Sequence, residues 1–150
     1  MSPRATRKPA ESPGDVLLQG EIFELFYALF GRLRDHYAET AASFGLTPQQ
    51  AKTVRLIGEP RSMREIAVDL QVDASYVTSI ADQLEDAGLV ERRVSPSDRR
   101  IKQLALTTKG RRTRTALETR LFSEVPGLKA MPAERQSELR DALREMSDGI

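Results

Sequence analysis

Residues 89–107 read LVERRVSPSDRRIKQLALT. Val90, Arg92 and Val94 alternate with Glu91, Arg93 and Ser95; Ile101, Gln103 and Ala105 alternate with Lys102, Leu104 and Leu106. Two runs of period two joined by a polar turn predict a β-hairpin. The turn is Ser95-Pro96-Ser97-Asp98. Pro96 presets its own φ, and Ser and Asp bond locally to the backbone, so both favour a bend. Arg92 and Arg93 stand on the incoming strand, and Arg99, Arg100 and Lys102 just past the tip. The hairpin's own stability does not require so many like charges. A facing row of phosphates does.

Working outward, Met63 to Leu70 predicts a helix with Ile66, Ala67 and Leu70 on one face. About Ala74 to Asp86 predicts a second, with Val77, Ile80, Ala81 and Leu84 inward. Gln71-Val72-Asp73 is a short turn between them. Asp73 suits the N-cap of the second helix and Gly88 its C-terminal end. Upstream, Thr47-Pro48-Gln49-Gln50 opens a helix to about Ile57, with Ala51, Val54 and Leu56-Ile57 inward. Gly58-Glu59-Pro60 ends it, and Ser62 with Glu65 forms a capping box for the next. Three helices followed by a basic hairpin predict a winged helix-turn-helix.

SPSDRRIKQLALTTKG, preceded by LEDAGLVERR, resembles the wing of the multiple-antibiotic-resistance regulator (MarR) family of bacterial transcription factors. The family's Asp-x-Arg, five residues, Leu-Thr pattern falls on Asp98, Arg100, Leu106 and Thr107. The resemblance extends from about Gly14 to about Met146. It implies a mainly α fold with a small β-wing (α+β), with terminal helices forming a dimerisation layer. The winged helix-turn-helix is then expected over residues 47–107, within a domain of residues 14–150. The dimerisation helices fall over residues 14–43 and 108–148. The implied function is a ligand-responsive repressor that binds a pseudo-palindromic promoter site as a homodimer.

A chain of 150 residues suits one domain, or a small domain with an oligomerisation element. No apolar run approaches the ~20 residues that span a bilayer. Met1 to Pro13 is polar and Pro-rich, so a disordered tail is expected rather than a signal peptide. The expectation is a soluble, cytoplasmic protein with no membrane partner. With no cysteine, disulfides, thiolate metal sites and thiol redox sensing are excluded. Residues 89–114 hold nine Lys/Arg and two Asp/Glu, net +7; the rest hold fourteen and twenty, net −6. A local cationic patch on an otherwise acidic chain is the footprint of nucleic-acid binding.

Asp15 to about Ser43 predicts one long helix. Leu18, Ile22, Leu25, Leu29 and Leu33 form one apolar row; Phe23, Phe26, Phe30 and Tyr37 form its neighbour. An apolar arc this wide is buried on more than one side, and in so short a chain the second partner is another subunit. After the hairpin, Thr107 or Thr108 caps a helix to about Glu124, and Pro132 opens a last one to about Ser147.

The helix Ala74 to Asp86 should enter the major groove by its N-terminus. Ser75, Tyr76, Thr78 and Ser79 are its leading outward residues, able to meet base edges, phosphates or thymine methyls. From Asp73 to Asp86 there is no Lys or Arg, so the bidentate arginine contact to guanine is absent. By resemblance, Arg100 is the wing arginine and Asp98 the acid that orients it, with a structural turn clamp as the alternative for Asp98. Arg92, Arg93, Arg99 and Lys102 are expected backbone contacts, with Lys52, Arg61 and Arg64 as weaker candidates. Phe23, Phe26, Phe30 and Tyr37 are candidates for a small aromatic ligand, against a competing reading as core. No enzyme is expected: the lone His36 lies in a helix, no G-x-S-x-G or phosphate-binding glycine loop occurs, and metal-ligand spacing and cofactor motifs are absent. The rival reading is a winged helix that binds an acidic protein partner. The recognition helix's lack of cations favours it.

Overall fold

The computed structural model describes residues 12–149. The long first helix, α1 (Pro13–Ser43), starts at a Ser12 cap that Asp15 completes as a capping box. Of the tail expected over residues 1–13, Ser12 and Pro13 belong instead to this cap and helix, and residues 1–11 lie outside the described residues. Three short helices follow: α2 (Pro48–Leu56), α3 (Met63–Leu70) and α4 (Ala74–Asp86). The capping boxes read from the sequence close α2 (Thr47 with Gln50) and α3 (Ser62 with Glu65). Ser62 and its backbone N–H hold the Glu65 carboxyl below its ordinary range. Asp73 occupies the N-cap position of α4 but makes no side-chain capping bond.

The hairpin strands are β2 (Val90–Val94) and β3 (Lys102–Leu106), paired antiparallel with Val90 opposite Leu106 and Val94 opposite Lys102. A third strand was not foreseen. β1 (Arg61–Ser62) pairs antiparallel with β3, giving the order β1-β3-β2. Two residues are too short for period two to register, and Ser62 is spent twice, as strand and as helix cap. α5 (Thr108–Ser123), capped by Thr107, and α6 (Ala133–Asp148) complete the chain.

One core joins α2, α3, α4 and the sheet, with Val54, Ile66, Val77, Leu84 and Leu104 at its centre. The inward faces of α3 and α4 are the predicted ones. Ala41 of α1 and Leu117 of α5 close the core from outside. The rest of α1 behaves differently. Leu17, Phe23, Leu25, Tyr27 and Phe30 are each more than 60% exposed, and α6 buries no residue at all. Among the described residues, nothing covers this wide apolar arc, and none lies within 4 Å of where a Cβ would stand on Gly31.

Helices α1, α3 and α4 end in the same device. In each, the residue after the cap region turns left-handed, and paired 6→1 and 5→2 hydrogen bonds satisfy the last carbonyls. Gly45 and Gly88 supply that conformation after α1 and α4, but Gln71 supplies it after α3, at φ 57°. A non-glycine residue there costs ~1–2 kcal/mol. Gln71→Gly removes that cost and gives back ~0.5–1 kcal/mol in unfolded-chain entropy. The variant should be more stable by about 0.5–1 kcal/mol, read as a higher urea midpoint with unchanged slope. A lower midpoint would mean that the Gln71 side chain contributes more than its backbone costs.

Candidate nucleic-acid interface

Thr78, in the early turns of α4, shares a cleft with Arg92, Lys102 and Gln103 of the hairpin strands, and helix and wing hold different chemistry. On α4, Val77, Ile80, Ala81 and Leu84 anchor the inner face, which leaves Ser75, Tyr76, Thr78 and Ser79 exposed. Thr78 donates its hydroxyl proton to Ala74 O at 3.0 Å. The rest of this exposed side chain, a methyl group and a lone pair, remains for other contacts. Ser79 Oγ accepts from Gln83 Nε2 at 3.4 Å, and Gln83 Oε1 accepts from Gln50 Nε2 at 2.7 Å. Gln83 is thus held against α2.

The wing tip is built by local bonds. Ser95 N donates to Ile101 O at 2.9 Å, Ile101 N to Asp98 O at 3.0 Å, and the Ser95 and Ser97 hydroxyls lie 3.0 Å apart. Asp98 Oδ1 accepts the backbone N–H of Arg100 at 2.9 Å. Asp98 thus acts as a turn clamp, a role compatible with orienting Arg100, and its carboxylate makes no ion pair with the Arg100 guanidinium among the described residues. The loop is also longer than the four-residue turn read from the sequence, running from Ser95 to Ile101.

The five wing cations divide into two sets. Arg92 crosses from β2 to the recognition helix and forms ion pairs with both Asp82 and Glu85 of α4. The Asp82 carboxylate, then Glu85, raise the Arg92 guanidinium above its ordinary range. Arg93 pairs with Glu91 on its own strand. Arg99, Arg100 and Lys102 are exposed and make no ion pair among the described residues. The expected backbone contact from Arg92 thus meets a competing structural use. Among the weaker candidates, Arg61 pairs with Asp69, while Lys52 and Arg64 are exposed.

At the far end of α4, α5 is locked on. Thr107 Oγ1 donates to Gly88 O at 2.7 Å and accepts Gly110 N–H at 3.0 Å; Lys109 Nζ donates to Ala87 O at 2.7 Å. Lys109 and Arg111, both counted in the cationic patch, are thereby tied to backbone carbonyls, Arg111 to Leu106 O at 2.7 Å. A Cβ on Gly110 would stand 1.9 Å from Leu89 O. Sequence reading passed over Gly110, because nothing local to it marks the approach.

The four ligand candidates separate. Phe23 and Phe30 are open to solvent, whereas Phe26 is only 39% exposed. Tyr37 instead packs at the junction of α1, α2 and α5. There the Arg55 guanidinium lies 5.8 Å from the Tyr37 ring centre and 5.2 Å from that of Phe122. Glu118 Oε1 lies 3.7 Å from Arg55 Nε and 3.3 Å from Arg114 Nε. Burial pushes the Tyr37 hydroxyl above its ordinary range, opposed in smaller measure by Arg55. The Tyr37 hydroxyl and Arg55 Nε are buried without a hydrogen-bond partner. His36 ties the same junction, its Nε2 donating to Leu121 O at 3.0 Å. Among the described residues, no helix is long and apolar enough to cross a membrane.

A model of the MarR family matches residues 46–102, from the start of α2 into the wing. The chain is 33% identical over 95 residues to the HTH-type transcriptional repressor MdtR of Bacillus subtilis. That match spans 62% of this chain and 61% of MdtR, so about three fifths of this curated relative's length is covered. Among solved structures, the YusO protein of B. subtilis superposes with a TM-score of 0.73 at 23% identity, over 93% of this chain and all of that one. CouR of Rhodococcus jostii RHA1, bound to p-coumaroyl-CoA, does so with a TM-score of 0.68 at 27% identity, over 86% and 93%.

Proposed function

We propose that this chain, whose residues 46–102 match the MarR family model, is a MarR-type winged helix-turn-helix repressor that binds a pseudo-palindromic duplex site as a homodimer. The observation that carries this reading is the set of exposed wing cations Arg99, Arg100 and Lys102, without ion pairs among the described residues, of which Lys102 shares a cleft with Thr78 of α4. In the proposed complex the N-terminal turns of α4 enter the major groove. Arg100 reaches the minor groove, where an arginine gains from a narrow, electronegative channel. Arg99 and Lys102 meet phosphates, and Arg93 joins them if Glu91 releases it.

The rival reading, an acidic protein partner, rests on the lack of Lys and Arg from Asp73 to Asp86, which also leaves the acids of α4 facing DNA. Asp82 and Glu85 are occupied by Arg92, so they offer DNA less net negative charge than the sequence suggests. The dimer is proposed from the exposed rows of α1 and the unburied α6. A contiguous apolar surface of that kind marks an interface. The proposed layout keeps residues 47–107 as the DNA-binding unit and residues 14–43 and 108–148 as the dimer layer.

Responsiveness to a small aromatic ligand belongs to the same proposal. CouR is bound to p-coumaroyl-CoA. In this chain, the buried Tyr37 hydroxyl and Arg55 Nε, which make no hydrogen bond among the described residues although Arg55 Nε is ion-paired to Glu118, support a ligand at the α1–α2–α5 junction. Phe23, Phe26 and Phe30 would contribute only once a second subunit covers them.

The test is genomic footprinting of the purified chain, paired with sedimentation at micromolar concentration. Protected sites with two-fold related half-sites, bound by a species of twice the chain mass, are expected. A monodisperse monomer that protects DNA would sink the dimer. Equal protection of all sequences would sink the specific regulator.

A further inference from the structure

Resting on the DNA-binding reading above, we propose that α4 reads thymine methyl groups, so that the bases facing Tyr76 and Thr78 are T·A pairs. Each base offers the major groove a different chemistry, and each is met by a different kind of side chain. Guanine takes Arg or Lys, and Asp73 to Asp86 contains neither. Adenine takes Asn or Gln. The only such residue in that span is Gln83, whose amide is held by Gln50 and Ser79. Cytosine takes a carboxylate, and Asp82 and Glu85 are drawn to Arg92. Asp86 lies in the last turn of the helix, far from the leading end.

Thymine takes apolar contact with its methyl group. That chemistry is present at the leading end. Tyr76 is 47% exposed. Thr78, with its proton committed to Ala74 O, presents a methyl group. It stands at a shallow cleft between α4 and the wing that Arg92, Lys102 and Gln103 also line. Ser75 adds a neutral hydroxyl that accepts either orientation of a polar edge. The one group near the leading end with opposite preference is Asp73, whose carboxylate makes no capping bond. Cytosine selected by Asp73 is the competing result.

The test starts from duplexes selected from a random pool by the full chain. In the strongest of these, deoxyuridine replaces thymidine at one half-site position at a time, which deletes only the methyl group. Affinity should fall about fourfold per contacted methyl, the cost of exposing one buried methyl group. Thr78→Ser keeps the hydroxyl bond and removes the methyl, so it should lose sensitivity at one position. Tyr76→Ala should lose it at another. Deoxyuridine in the flanks should have no effect, because the wing reads the other groove. A half-site of G·C pairs, or unchanged affinity with every half-site thymine replaced, would overturn the methyl reading while leaving a DNA regulator standing. No enrichment of any duplex would overturn the regulator itself, and this inference with it.

Discussion

Replacing Gly110 with alanine is expected to cost about 3 kcal/mol or more of folding stability, the upper end for an overpacked site. The added Cβ would lie 1.9 Å from Leu89 O and 3.2 Å from Leu106 Cδ2. A clash with a flexible side chain relaxes cheaply, but Leu89 O is backbone. It also sits where the recognition helix has just ended, and Thr107 N donates to it at 3.1 Å. Relief requires α5 to lift from the start of β2, which breaks the Thr107 and Lys109 bonds to Gly88 O and Ala87 O. It also uncovers Leu117. Alanine's better helix propensity returns only ~1 kcal/mol. Urea unfolding followed by circular dichroism measures the result. A midpoint within about 0.5 kcal/mol of the parent, the range of an uneventful surface change, would show that the approach of α5 to β2 is looser than described.

The same joint marks where reading the sequence stopped. The winged helix was legible because its signals are local. Thr47 with Gln50 and Ser62 with Glu65 are caps closed within four residues, and the inward faces of α3 and α4 follow a period of 3.6. Gly110 carries no such signal, since its constraint comes from Leu89 O, over twenty residues earlier in sequence. Strand β1 was hidden for the same reason: Arg61 and Ser62 are a strand only because Leu104 and Gln103 lie alongside.

The wing shows the limit most sharply. Arg92, Arg93, Arg99 and Arg100 are one residue type within nine positions, and sequence reading treated all of them as candidate DNA contacts. What separates them is which acids the fold brings near. Asp82 and Glu85 reach Arg92 only because α4 and β2 pack together. Asp98, placed beside Arg100 by the family pattern, spends its carboxylate on a backbone N–H. The wide apolar arc of α1 was legible too. Its expected cover, a second subunit, is a property of the pair of chains and not of one.

That division of the cations gives the largest effect expected on binding. If each dimer neutralises on the order of 6–10 phosphates, affinity should fall ~10³–10⁵-fold between 50 and 200 mM salt. The slope follows from counterion release, at about 0.9 ions per phosphate neutralised. Alanine at Arg99, Arg100 and Lys102 together removes three cations from each chain of the dimer. The slope of log affinity against log salt should then drop by roughly five. Arg92→Ala removes the same charge per residue but from a different place. Its partners Asp82 and Glu85 would be left uncovered on the groove-entering helix, so affinity should fall through repulsion while the slope barely changes. Titration of a fixed duplex at several salt concentrations, with the parent, the triple variant and Arg92→Ala, separates the two roles. A flat dependence in the parent would return the acidic protein partner to first place. A slope lost equally in Arg92→Ala would mean that Arg92 leaves Asp82 and Glu85 when DNA arrives, and that the wing base contacts phosphate after all.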